Sequence, residues 1–400
     1  MVDFARSSDP RVQAQLDRLT LLSPGGDRLG LDRIARLLDR LGRPQDALPP
    51  VLHVAGTNGK GSTCAMLRAA LEAAGRRVHL FTSPHLIRFN ERIRIAGKLI
   101  DDALLAALLE EVLDASEGIE PSFFEATTAV AFLAFTRTPV DACLVEVGLG
   151  GRLDATNVID RPLVCGIAAV GIDHQQYLGE TLAEIAAEKA GIARRGVPLV
   201  ALAQPPEAVA AIVRVAAEIG APLLLEGRDW APDPGFVSNL AGAHQRRNAN
   251  LAWQMLRAQD RLAVTRAEFE QGLTQVQWPA RFQRLAGTET WIDGAHNPQA
   301  AEALGQLLAG TPPMHIVLGI LANKDAAAIV APLRARALSL TFVPVDGHEH
   351  HDPAALAERF DGRAAASLEE ALAALPSPRL VAGSLYLAGR ALELNGELPD

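Results

Sequence analysis

The sequence predicts an α/β fold in two parts, the first and larger one built on a mostly parallel sheet. Three observations carry this. Short apolar segments alternate with alanine- and leucine-rich helical stretches over residues 51–225. The first of those segments runs straight into a glycine-rich turn, GTNGKGS at 56–62, and then into a helix-compatible stretch. After an interruption at Trp278, Pro279, Ala280 and Arg281 the same rhythm restarts. Such alternation reads as parallel strands wrapped by helices.

In chain order, apolar runs place strands at 51–55, 78–81, 142–147, 163–170, 199–203 and 223–225. Alanine- and leucine-rich stretches place helices between most of them, at 63–74, 102–115, 125–135, 182–193 and 206–219. Residues 88–100 alternate apolar and charged side chains, which suggests a ribbon or loop excursion rather than a buried strand. The proline-rich WAPDPG at 230–235 is expected to be a surface loop. Helices follow at 243–259 and 265–276. Beyond the interruption come strands at 290–293, 314–318, 338–343 and 379–382, with helices at 298–309, 353–360, 368–375 and 385–394. This is a second, smaller, Rossmann-like α/β unit. The boundary belongs near 280–288 and divides the chain into 1–282 and 283–400.

Composition narrows the function classes. The chain has 400 residues, 49% of them hydrophobic and 21% charged, with a net charge of -9. That charge disfavours a nonspecific nucleic-acid or anionic-membrane binder. Cys64, Cys143 and Cys165 are few and scattered, which fits a reducing compartment and proposes neither a disulfide framework nor a zinc site. There is no run of about 18 apolar residues and no signal-like segment, so cytoplasmic residence is the expectation.

The glycine-rich turn has the order strand, turn, helix that a P-loop mononucleotide-binding domain needs. Glycines let backbone N–H groups face phosphate oxygens, the helix N-terminus adds its positive end, and Lys60 adds a charge. The spacing departs from G-x-x-x-x-G-K-[ST], because Gly61 separates Lys60 from Ser62. Glu146 ends an apolar strand, where open α/β sheets place ligands, and a carboxylate beside a phosphate loop can hold Mg2+. The plainer alternative is an acid capping a glycine turn. His174 also follows a strand, and a structural histidine is as good a reading there as a ligand. Ser83 either supplies a hydroxyl oxygen or caps a turn. Lys189, near a helix end, reads from the sequence as a solvated charge. In the second unit Asp293 and His296 flank a strand-to-helix turn that Asn297 could cap.

Taken together and in this order, the motifs resemble those of the folylpolyglutamate synthase/dihydrofolate synthase family, a branch of the ATP-dependent Mur ligases. The resemblance rests on LGLDR at 29–33, GTNGKGS at 56–62, TSPHL at 82–86, NERIRI at 90–95 and SFFE at 122–125. It continues with EVGLGGRLDATN at 146–157, DHxxxLG at 173–179, EKAGI at 188–192, HQxxNA at 244–249, WPxRF at 278–282 and DGAHNP at 293–298.

The resemblance implies roles that spacing does not. Gly56, Thr57, Asn58, Gly59, Lys60, Gly61 and Ser62 would cradle ATP, with Asn248, Arg281 and Asp293 also contacting the nucleotide. Ser83, Glu146 and His174 would be the Mg2+ ligands, two metal sites being expected, and Lys189 would be carbamylated. Lys60, Lys189, Arg281 and His296 would form the catalytic set, His296 lying near the glutamate site. Leu29, Gly30, Leu31, Ser122, Phe123, Phe124, Glu125, Leu153, Asp154 and Ala155 would hold the pterin substrate. Two positions depart from the family pattern: Ala280 stands where a glycine is usual, and Arg28 where an acid often precedes LGL.

The implied reaction is addition of L-glutamate to dihydropteroate and to reduced folates through an acyl phosphate, by a monomeric ligase that closes about a hinge. Folylpolyglutamate synthesis alone and a Mur-type cell-wall peptide ligase remain alternatives, the latter usually carrying an added N-terminal domain. A P-loop kinase or a nucleotide switch without chemistry accounts for fewer of the motifs.

Overall fold

The structure is a computed structural model and describes residues 5–21 and 29–399. These fall into two compact units, one taking the residues up to Asn239 together with Arg246–Val276, the other Leu240–Gln245 and Gln277–Pro399. The division at 282/283 expected from the sequence thus falls a few residues inside the second unit.

In chain order the first part contains α1 (Pro10–Leu21), α2 (Asp32–Arg40), β1 (Val51–Ala55), α3 (Lys60–Ala73), β2 (Val78–Phe81), β3 (Ile93–Ile95) and β4 (Lys98–Leu99). It continues with α4 (Asp102–Ala115), α5 (Phe123–Arg137), β5 (Ala142–Glu146), β6 (Val164–Ile167), α6 (Gln175–Leu178), α7 (Leu182–Ala190), β7 (Leu199–Ala201), α8 (Pro206–Ile219), β8 (Leu223–Leu225), α9 (Ala243–Arg257) and α10 (Arg266–Gln275). The eight strands form one sheet in the order β4-β3-β2-β5-β1-β6-β7-β8. All pairs are parallel except β2 with β3 and β3 with β4. Parallel strands covered on both faces read as unbroken apolar runs, and every residue of β1, β2, β5 and β6 is buried. One apolar core joins α1, α2, α4 and α5 to the sheet through Leu16, Leu37, Leu109, Phe132, Phe81 and Val145. Another joins α7 and α8 to it through Ile185, Ile212, Ile167 and Leu199.

The second unit contains β9 (Gln283–Arg284), β10 (Thr290–Ile292), α11 (Pro298–Leu308), β11 (Met314–Leu318), α12 (Ala326–Arg334), β12 (Ala337–Phe342), α13 (Pro353–Phe360), β13 (Arg363–Ala364), α14 (Leu368–Ala374), β14 (Arg379–Ala382) and α15 (Leu385–Leu394). Its sheet runs β13-β12-β11-β14-β10-β9, antiparallel only at β9.

Several elements differ from the sequence expectation for local reasons. The helix after the glycine turn starts at Lys60 rather than 63, because Gly59 takes a left-handed φ of 90° at its N-cap. α5 starts at Phe123 rather than 125: Ser122 and Glu125 form a reciprocal capping box. β6 ends at Ile167, short of 170, and Gln204 then holds the following residues, accepting from Val170 N–H and donating to the Ala168 carbonyl. α7 ends at Ala190, not 193. The 88–100 excursion contains a hairpin, β3–β4, and Ile93 within it is fully buried, so part of it does join the core. α1, α2 and α12 were not expected. In α1, Val12, Leu16 and Leu19 supply the buried stripe, and in α12 an interior Pro332 masks the helical pattern.

Candidate active site

Four neighbouring parallel strands, β2, β5, β1 and β6, end at the same edge of the first sheet. Ser83 lies just beyond β2, Glu146 closes β5, Gly56 follows β1, and the segment leading to Asp173 and His174 follows β6. The sheet topology therefore brings the sequence-predicted phosphate loop and metal candidates to one carboxyl edge, where such sheets bind ligands.

The phosphate loop is built by close approach. A Cβ on Gly56 would sit 2.9 Å from the Ala168 Cβ, and one on Gly59 would collide with the Asn248 Oδ1. Asn248 is thereby placed against the loop it is expected to serve. Thr57 and Asn58 donate backbone N–H groups to the Ala169 carbonyl. The Thr57 hydroxyl donates to the Gly171 carbonyl at 2.9 Å and accepts from Gly171 N–H at 3.0 Å. The first i→i−4 bond of this turn that closes onto Gly59 is from Thr63. The N–H groups of Lys60, Gly61 and Ser62 precede it, in the first turn, where a helix leaves donors for an anion. Lys60 Nζ lies 3.4 Å from the Thr57 carbonyl and 3.9 Å from Glu146 Oε1. A cradle that a Cβ would fill, faced by a lysine, fits a polyphosphate. Gly59→Ala is expected to weaken nucleotide binding about tenfold and to cost about 1–2 kcal/mol of stability through φ strain, readable by titration with ADP and by thermal melting.

Of the metal candidates, Ser83 and Glu146 offer hard oxygens and His174 an imidazole. His174 takes a left-handed φ of 53°, and its backbone N–H donates to Asp173 Oδ1 at 2.9 Å. Its Nε2 is 4.0 Å from the same oxygen. Among the described residues no trio of His, Cys, Asp or Glu is gathered as a metal cluster. Mg2+ keeps several waters and takes few protein ligands, so a hydroxyl, a carboxylate and an imidazole at one sheet edge fit it.

Lys189 is not the solvated charge that its sequence position suggests. It is buried in the last turn of α7. Burial, with the Lys60 charge adding to it, pushes its pKa from 10.5 down to about 7, and Asp173, Asp154 and Glu188 pull the other way. The glycines of the preceding loop make this possible: a Cβ on Gly151 would sit 2.7 Å from the Glu188 carbonyl and 3.0 Å from the Lys189 Cα. The loop GLGGR thus lies directly on the turn that carries Lys189.

The pterin candidates gather around α5. Phe124 stacks on Phe81 with centroids 5.7 Å apart and lies against Gly148, where any Cβ would collide with its ring. Phe123 packs edge-on to Phe89, with the buried Arg92 guanidinium over both rings. Glu125 Oε2 accepts from Ser122 N–H at 2.6 Å and pairs with Arg33 Nε at 3.0 Å. Its other oxygen, Oε1, is buried with no hydrogen-bond partner, an acceptor that a ligand N–H would satisfy. Asp154 is buried, accepting from Leu149 N–H at 2.8 Å and from the Thr156 hydroxyl at 2.5 Å. Burial raises its pKa and these hydrogen bonds oppose the rise. Ala155 and Leu31 border the core shared with α5, whereas Leu29 packs against the α7–α8 core. Leu153 and Gly30 are partly buried, and Arg28 lies outside the described residues.

In the second unit, Asp293 follows β10 and is buried. Its Oδ2 accepts from Phe282 N–H and its Oδ1 from Ala295 N–H, both at 2.8 Å. Burial pushes this carboxyl up, and the nearby Arg281 pulls it back down. Arg281 also lies against Gly294, where a Cβ would meet its Nη1 at 2.6 Å. His296 donates from Nδ1 to the Gly294 carbonyl at 2.8 Å. Asn297 caps α11, accepting from Ala300 N–H. Arg281 therefore lies against the turn that carries Asp293 and His296. His244, in the segment assigned to this unit, is held down at about 4 by burial and by Arg281. Ala280, the departure from glycine, is fully buried and adopts a left-handed φ of 56°, a backbone that glycine enters more easily.

Two residues of this neighbourhood escaped the sequence reading. Arg33, the partner of Glu125, lies 92 positions away in the chain, and nothing local signals the pairing. His53 is a polar residue inside an apolar strand, which is itself a signal.

The model of the "Mur ligase, glutamate ligase domain" family matches residues 280–387. The chain is 37% identical to the folylpolyglutamate synthase of Lacticaseibacillus casei, over 89% of this chain and 92% of that one. Its fold is similar to that of Escherichia coli FolC solved with DHPP and ADP, with a TM-score of 0.86, 30% identity, and 95% and 97% of the two chains covered. It is also similar to a bifunctional folylpolyglutamate synthase/dihydrofolate synthase solved with Mn, AMPPNP and L-glutamate, with a TM-score of 0.87, 30% identity, and 98% and 99% covered.

Proposed function

The chain belongs to the folylpolyglutamate synthase/dihydrofolate synthase family of ATP-dependent Mur-type ligases, and from that premise we propose that it adds L-glutamate both to dihydropteroate and to reduced folates. The observation that carries this reading is the buried Lys189 amine, electrostatically coupled to Lys60, Asp154 and Asp173 beside a glycine phosphate cradle. The relatives add support: FolC of E. coli was solved with DHPP and ADP, and a bifunctional relative with AMPPNP and L-glutamate.

In this reading the acid's carboxylate attacks the γ-phosphate of ATP, ADP leaves, and the α-amine of glutamate displaces phosphate from the acyl phosphate. The N–H groups of residues 56–62 and the Lys60 charge orient the phosphates and offset charge that develops in transfer. Ser83, Glu146 and His174 would hold Mg2+, which would supply further neutralisation of phosphate charge. Lys189 Nζ, neutral for much of the time near pH 7, adds to the carbon of CO2 and loses a proton to water, giving a carbamate whose oxygens suit a second hard cation. Phe123, Phe124, Glu125 and the turn of Leu153, Asp154 and Ala155 hold the pterin, with Leu29, Gly30, Leu31 and Ser122 around them. Asn248, Arg281 and Asp293 serve the nucleotide and His296 the glutamate. The three cysteines are free and buried, which suits the cytoplasm. The active species is taken as the monomer.

The test is ADP release with Mg-ATP and L-glutamate in the presence of either acid, the products being identified by mass. Glutamate-dependent turnover of both acids is expected. Turnover of the reduced folate alone would confine the enzyme to polyglutamylation. Turnover of neither, by protein that still binds ADP, would sink the reading and direct attention to Mur-type acids.

A further inference from the structure

His53 sits in the middle of β1, three residues before Gly56, and its imidazole is buried among strand side chains. A branched aliphatic residue would fill such a position without a polar cost. The imidazole must therefore be judged by its partners. Its Nε2 is 2.8 Å from the Thr156 hydroxyl. That hydroxyl has a single proton and donates it to Asp154 Oδ1 at 2.5 Å. Asp154 accepts in addition Thr156 N–H at 3.0 Å on Oδ1 and Leu149 N–H at 2.8 Å on Oδ2. With its proton committed to Asp154, the hydroxyl can only accept from His53. The imidazole is thereby fixed as the Nε2–H tautomer. Its other nitrogen, Nδ1, is buried with no hydrogen-bond partner, as this tautomer requires of a lone pair facing apolar surroundings.

We propose that His53 is a positioning residue for the acid substrate: through Thr156 it fixes the Asp154 carboxylate, and with it the turn of Leu153, Asp154 and Ala155. This rests on the reading above that the turn holds the pterin. The two ends of the turn are anchored elsewhere. Asn157 donates to the Arg152 and Gly191 carbonyls, and Arg194 donates to the Asn157 carbonyl. Those bonds hold the backbone, while the carboxylate is held by the Leu149 and Thr156 N–H groups and by the Thr156 hydroxyl, whose orientation His53 sets. One strand thus carries the phosphate loop at its end and the anchor of the acid turn at its centre. Proton transfer plays no part. Burial and the Arg194 charge hold the imidazole down at about 3, so it is neutral wherever the protein is folded and active.

The experiment compares His53→Phe and Thr156→Val with His53→Gln and Thr156→Ser, whose amide and hydroxyl preserve the relay. Loss of the relay, at its His53–Thr156 bond or at its Thr156–Asp154 bond, should raise the KM for dihydropteroate about tenfold in the first pair. The KM for ATP should stay within about twofold, and the second pair should recover the acid KM to within about threefold of the parent. Nitrogen-15 spectra of the ligand-free protein, with His53 assigned from the His53→Gln difference, should show the Nε2–H tautomer and no protonation between pH 8 and about 5. An Nδ1–H tautomer overturns the relay. So does an unchanged acid KM in a folded His53→Phe protein, or an equal loss for ATP and acid. If the parent enzyme extends neither acid, the functional reading fails and the substrate role of His53 fails with it. The tautomer still upholds or overturns the relay by itself.

Discussion

Lys189→Met should make the protein more stable and, at the same time, inactive as a ligase. The sign follows from the proton balance. Lys189 has a folded pKa of about 7 against 10.5 for the free side chain, so between those values the unfolded chain binds more protons than the folded one. Stability then rises with pH across that window. The cost of burying the amine is fully present below about pH 7 and is gone above about 10.5. Methionine has similar length and volume and nothing to deprotonate. At pH 7, in CO2-free and metal-free buffer, the substitution should therefore stabilise the fold by about 2–4 kcal/mol, and the gain should vanish when melting is repeated near pH 10.5. On the proposed role of a Lys189 carbamate in neutralising phosphate charge, ligation should fall by roughly 10³-fold. A stability loss at pH 7 would mean that the amine is paired well enough in the fold to be charged without penalty. Undiminished turnover would remove Lys189 from the reaction. The parent enzyme should show the counterpart, its activity falling below pH 7 as the neutral amine is titrated away, and falling on removal of CO2.

The same residue shows what the sequence could and could not tell. Charge in the last turn of a helix is usually solvated and favourable there, and nothing within α7 contradicts that. The loop 148–152, some 40 positions earlier, lies on this helix end at Gly151, where a Cβ would collide with the backbone of Glu188 and Lys189. Its character is a tertiary property, and only the resemblance to a family pointed to it. The phosphate loop was legible for the opposite reason. Strand, glycine turn and helix are contiguous, so local chemistry alone requires them, and only the helix start was misjudged, since Gly59 and Gly61 depress the apparent helix propensity at the positions that form its first turn. The strand order was partly legible. Alternation implied parallel pairing, but that β5 would insert between β2 and β1, bringing Glu146 to within 3.9 Å of Lys60, depends on crossovers that carry no local signal. The capping box is readable in the sequence, since Glu125 follows Ser122 by three residues at a helix start. In the structure one Glu125 oxygen is engaged by the cap and Arg33 and the other is unpartnered. Ala280 shows how a single odd residue is informative: a methyl where glycine is usual occupies a left-handed backbone, so the departure seen in sequence coincides with a strained position in the fold.

Lys60→Met is expected to lower kcat by roughly 10²–10³-fold, and the loss should have two separable sources. The first is direct. The ammonium stands at the first position of α3, between the Thr57 carbonyl and Glu146, and its removal takes a positive charge away from the phosphate cradle. The second acts through Lys189. The Lys60 charge is, after burial, the largest influence holding that amine down, so its removal should move the Lys189 titration upward and shrink the neutral fraction at pH 7. Lys60→Arg distinguishes the two. A guanidinium keeps the positive charge, and hence the depressed Lys189, but spreads it over a planar fork that does not reproduce a compact ammonium beside phosphate. The arginine variant should thus retain the acid limb of the parent pH profile while losing most of kcat, whereas the methionine variant should lose kcat and shift that limb to higher pH. Stability should report the same coupling. Because the two lysines repel each other in the fold, the gains from Lys60→Met and Lys189→Met should add to less than their sum in the double variant. Strict additivity, together with an unshifted pH limb in Lys60→Met, would mean that the two amines act independently and that burial alone sets the reactivity of Lys189.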